Sequence, residues 1–195
     1  MGIFLDIAAS AIIGAILLGT VLSLNASLIE NSHRATMEVA VQRNLGTITA
    51  LMLRDLKNMG YKVSPAVSTA RSDTVFFRGD LNDDGSADSV GYFLGPVDEL
   101  AGTENPGDRT LIRNFNGARQ LLATGVTSLD FSYFGAAQEK IERQEGETAE
   151  QRRARQASIV TVQVSVIVES PYKYGRDYTK AIGKFRVSPK NLTLG

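Results

Sequence analysis

The chain has no cysteine and only one histidine, His33, among its 195 residues. The first absence excludes disulfide frameworks, thiolate metal sites and cysteine nucleophiles; the second excludes His-based triads and multi-histidine metal centres. None of the five prolines precedes Pro65. Neither sign of charge is in excess: 21 basic residues face 21 acidic ones, so no global field indicates nucleic acid as a partner. Glycine is frequent, but no GxxxxGK[ST] loop is present to cradle a phosphate. No internal repeat is evident. These absences predict a protein that is not an enzyme and requires no cofactor.

What the chain does have is an uneven distribution of apolar residues. The 23 residues from Ile7 to Ile29 carry no charge, and their only polar side chains are Ser10, Thr20, Ser23, Asn25 and Ser27. At the rise of an α-helix such a run extends about 35 Å, enough to cross the hydrocarbon of a bilayer. A cleaved signal would carry basic residues ahead of a shorter apolar run, yet only Asp6 is charged before it and no Lys or Arg precedes Arg34. A buried core helix and an anchor that never polymerises are the other readings.

Helix-forming residues continue past the apolar run, predicting one helix from about Gly2 to about Met59, stopped by Gly60 with Pro65 beyond. Met37, Val41, Leu45, Ile48, Met52, Leu56 and Met59 recur every three or four residues and mark one apolar face; Glu38, Gln42, Arg54, Asp55, Lys57 and Asn58 take the rest. The expected organisation is a hydrophobic membrane or filament-core helix over 1–30, its amphipathic continuation over 31–62, and a β-rich head over 63–195.

Beyond Pro65 the period changes to two, with strands expected at Thr74–Arg78, Val90–Leu94, Thr110–Phe115, Arg119–Leu122, Val126–Phe134, Ile159–Val168 and Tyr178–Val187. In Ile159–Val168 the even-numbered valines from Val160 to Val168 share one face. The fold class that results is α+β: a long N-terminal hydrophobic helix whose C-terminal half carries an antiparallel sheet. Residues 135–157 are crowded with Glu, Lys and Arg around a single large aliphatic, Ile141, and read as an exposed loop, a short surface helix or an electrostatic contact between subunits.

Two features of the first helix bear on assembly. Ala11, Ala15, Gly19, Ser23 and Ser27 place a small residue at every fourth position, a slowly winding groove that another helix could approach closely. Asp6 puts a carboxylate at the head of a spanning segment, where it needs a partner: its own helix N-terminus or the terminal amine of a neighbouring subunit.

A long helix, apolar in its first half, acidic near its start and followed by a sheet, resembles the type IV pilins and secretion pseudopilins. Leu53–Tyr61 (LRDLKNMGY), Thr74–Leu94 (TVFFRGDLNDDGSADSVGYFL) and Leu111–Tyr133 (LIRNFNGARQLLATGVTSLDFSY) are similar in wording to larger minor pilins and the J-type pseudopilin. The family carries a glutamate at its fifth mature position, which pairs with an adjacent subunit's terminal amine; with Met1 alone removed, Gly2 is first here and Asp6 fifth. The resemblance implies a structural subunit that waits in a membrane, is moved by pilus-type assembly machinery, and polymerises with its copies into a helical filament at the cell surface. A minor pseudopilin of a secretion or uptake machine, or a membrane-anchored binding module that does not polymerise, are the alternatives.

In the head, Asp80, Asn82, Asp84, Ser86 and Asp88 form the pattern DxNxDGxxD, with oxygen ligands at alternate positions and Gly85 where a calcium loop turns sharply. The twelfth position is Gly91 rather than glutamate, so the segment reads either as a Ca2+ site or as an Asp/Asn/Gly hairpin turn. Asn191 and Thr193 fit a glycosylation sequon.

Overall fold

The computed structural model describes residues 2–100 and 102–192, and the side chains of all of these except Leu5 and Tyr174. Helix α1 runs without interruption over Gly2–Lys57. Its last turn tightens, Asn58 N–H donating to Asp55 O at 3.1 Å and Met59 N–H to Leu56 O at 3.2 Å. Gly60 then turns the chain with φ of 76°, a conformation that suits a residue without Cβ.

The head is an eight-stranded antiparallel sheet. In chain order its strands are β1 (Val67–Ala70), β2 (Val75–Gly79), β3 (Asp88–Leu94), β4 (Arg109–Phe115), β5 (Ala118–Phe134), β6 (Lys140–Ile141), β7 (Thr161–Tyr174) and β8 (Asp177–Val187). Spatial order follows sequence order from β1 to β5, then β7 and β8, with the two-residue β6 paired to the end of β5. Helix α2 (Ala149–Ala157) lies between β6 and β7. Arg119–Leu122 and Val126–Phe134, expected as two strands, are one in the folded chain: both belong to the 17-residue β5. Its first part pairs with β4 and its second with β7. The change of partner falls at a bulge after Gly125, whose φ is 84°, so one bent strand serves both halves of the sheet.

The core lies between this sheet and the second half of α1. Val41, Ile48, Met52, Leu56 and Met59 are buried there against Val162, Val164, Val166, Val168 and Ala181. Close seating is allowed by Gly183 on β8, where an added Cβ would lie 2.7 Å from Leu45 Cδ1. Asp55 departs from the expected polar face: it is 1% exposed, on the core side of the helix. The opposite side of β8 shows Lys180, Ile182, Lys184 and Arg186 to solvent, and β8 ends the sheet with β7 as its only strand neighbour among the described residues.

Segment 135–157 folds as β6 and α2. Thr148 and Gln151 form a capping box, the Thr148 hydroxyl accepting from Gln151 N–H and the Gln151 amide oxygen accepting from Thr148 N–H.

Candidate functional site

The part of the molecule that has no intramolecular partner is the first half of α1. Its described large apolar side chains between Ile3 and Ile29 are 53 to 82% exposed. The helix is long and apolar enough to cross a membrane, and none of its apolar window is buried in the head. Three of the five polar side chains inside the run are turned inward on the helix itself. Ser10 Oγ donates to Asp6 O at 2.7 Å, Thr20 Oγ1 to Ile16 O at 2.8 Å and Ser27 Oγ to Ser23 O at 3.0 Å. A hydroxyl satisfied this way can enter an apolar medium without losing a hydrogen bond.

Gly2, Asp6, Ala11, Ala15, Gly19, Ser23 and Ser27 all lie on this exposed segment. The small residues from Ala11 to Ser27 advance by four, so each is turned about 40° from the one before and the stripe winds over roughly 24 Å of helix. At Gly14 and Gly19 a Cβ would meet nothing within 4 Å, so neither glycine is required by the head. Asp6 stands in the second turn, with its carboxylate unbonded among the described residues.

The Asp-rich loop joins β2 to β3. Asp80, 3% exposed, accepts Asp84 N–H and Gly85 N–H, each at 3.1 Å, and receives the Lys62 ammonium at 3.3 Å. Lys62 Nζ also reaches Asp83 Oδ1 at 2.5 Å. Asp88 accepts Leu81 N–H at 3.1 Å and the Asn116 amide at 2.7 Å. Asp84 accepts Ser86 N–H and the Asn82 amide, each at 2.7 Å; these bonds hold its carboxyl below the usual range. The loop therefore has the geometry of a turn whose carboxylates cap backbone donors. No three acidic or histidine side chains converge on one point among the described residues.

A polar node absent from the expected sites lies beneath the sheet. Asp55 Oδ2 accepts the Tyr92 phenol at 2.6 Å and Arg113 Nε at 2.7 Å, while Arg113 Nη1 donates to Gln120 Oε1 at 2.9 Å. Burial first, and then the Asp55 charge, push the Tyr92 hydroxyl well above its ordinary range. The node ties α1 to β3, β4 and β5: Asp55, Tyr92 and Arg113 are buried while Gln120 reaches the surface, so it holds helix and sheet in register.

Thr193 of the glycosylation sequon lies outside the described residues. No protein-family model matches the chain, and no curated protein matches it either.

Proposed function

We propose that this chain is a structural subunit of a type IV pilus-like extracellular filament that polymerises through its N-terminal helix. The observation that carries the reading is the division of α1. One half is built into the core of the head, while the other shows an apolar surface that no other described residue covers. A rigid continuation of this kind transmits the position of the helix to the head, as a subunit packed at the centre of a filament requires.

In this reading the precursor rests in a membrane through Ile7–Ile29, and assembly machinery moves it into a bundle of identical helices. Transfer from lipid to that bundle gains little from the hydrophobic effect. Close packing along Ala11, Ala15, Gly19, Ser23 and Ser27 supplies cohesion instead. Asp6 then pairs with the terminal amine of a neighbour and sets the register. The finished assembly stands at the cell surface with the heads outward.

The test is to replace Asp6 by alanine in cells that make the filament and to image sheared surface material. Membrane insertion persists and filaments are lost. Normal filaments from the variant would remove Asp6 from assembly. A full-length chain that stays monomeric in both detergent and cells would end the filament reading.

A further inference from the structure

The charged segment 135–157 is left unused by the proposed function. Folded, it walls a cleft of about 220 Å3 against the end of β1 and the turn that follows. Arg71, Arg143, Arg152 and Arg155 line it with a single carboxylate, Glu147. Glu147 is already engaged: both its oxygens accept from Arg155, Oε2 from Nε and Oε1 from Nη2, each at 2.9 Å. Arg152 Nε lies 3.9 Å from it. Arg155, with Arg143 and Arg152 behind it, holds Glu147 below the usual carboxylate range.

The cleft is built rather than frayed. The Arg155 and Glu147 side chains are 11% and 6% exposed. Gln156 Nε2 fastens α2 to Ser68 O on β1 at 3.0 Å. The Arg71 carbonyl accepts the Tyr133 phenol at 2.9 Å, fixing the turn from which its guanidinium extends. Neither Arg71 nor Arg143 is ion-paired among the described residues.

Four arginines and one carboxylate lining the cleft leave an excess of positive charge in a small concavity, and guanidinium forks match the spacing of oxygens on a tetrahedral anion. We propose that this cleft binds a phosphate group, either inorganic phosphate or the terminal phosphate of a phosphomonoester. Arg71 and Arg143 supply the unpaired forks, and Glu147 positions Arg155. Further out, the cleft adjoins a groove carrying the Lys140–Glu142 pair, 2.8 Å apart, together with Asp73 and Asp130. Those outer carboxylates oppose an extended polyanion and leave room for a compact one. The site does not depend on whether the chain forms filaments.

The experiment is calorimetric titration of the full-length protein in detergent micelles with inorganic phosphate, with glycerol phosphate, and with chloride at matched ionic strength. Saturable binding of one phosphate group is expected. Arg71→Gln or Arg143→Gln should weaken it about tenfold or more while leaving the ligand-free melting temperature unchanged. Tighter binding of glycerol phosphate than of the free ion would identify an organic ester as the ligand, and equal binding the ion itself. Equal responses to chloride and phosphate, or affinity unaffected by both substitutions, overturn the proposal. A short Asp/Glu peptide binding as tightly as phosphate would also overturn it, in favour of an acidic protein surface.

Discussion

The Tyr92 phenol and the Arg113 guanidinium converge on the same carboxylate oxygen, Asp55 Oδ2, at 2.6 and 2.7 Å. Two neighbouring strands are thereby bound to one turn of the helix. Replacing Asp55 by alanine leaves Arg113, only 7% exposed, without its counter-charge, and a buried pair broken on one side costs about 3–5 kcal/mol. Urea unfolding followed by circular dichroism should show that loss. The double replacement Asp55→Leu with Arg113→Met should recover part of it, because no lone charge remains.

Alkali should loosen the head by a related route. Burial raises the phenols of Tyr92 and Tyr133 above their ordinary value of about 10. Above that pH the unfolded chain releases both protons and the folded chain keeps them. The stabilising contribution is therefore fully present below about pH 10 and is lost as pH rises through the folded values. The melting temperature should be level with respect to these groups from neutral pH to about 10 and fall beyond it. Tyr92→Phe should lower the plateau yet make the alkaline fall shallower.

Gly125 permits the bend in β5. Alanine there must adopt a φ of 84° and bring its Cβ within 2.8 Å of the Glu169 carbonyl oxygen. Both penalties fall on backbone atoms that cannot swing away, so Gly125→Ala should cost about 1–3 kcal/mol, measurable as a reduced melting temperature.

Lys62 competes with any cation for the Asp80 loop. Its ammonium touches Asp80 and Asp83, and their hydrogen bonds hold its proton more firmly than usual. Lys62→Met removes that positive charge and leaves the carboxylates in place. Millimolar calcium should then raise the midpoint of the variant, chelator should reverse it, and the native chain should respond less. Identical responses would leave the loop as a turn alone.

Much of this architecture could be read from residue order. The unbroken absence of proline before Pro65 and the drift of apolar spacing along α1 mark the helix, and the alternating valines mark β7, which starts at Thr161 and runs on to Tyr174, beyond the expected end at Val168. Asp55 escaped because a carboxylate is by residue type assigned to the wet side, although its spacing of three from Met52 and four from Met59 puts it on the apolar face. The partners that make its burial tolerable are 37 and 58 positions away. β1 escaped because four residues are too few to show alternation. The capping box of α2, by contrast, is local: Thr148 followed three places later by Gln151, inside a segment dense in charge. The arginine cleft required the fold, since Arg71 comes from a turn far ahead of the other three in the chain.

The outer margin of the sheet has a consequence for crowding. The outer side of β8 has no strand neighbour among the described residues, and Lys180 and Lys184 are exposed on that strand. Where many heads are brought shoulder to shoulder, two such margins repel before their peptide groups can meet. Neighbours can then be dense without zipping into a shared β-ribbon, and contact between them is left to surfaces that can let go.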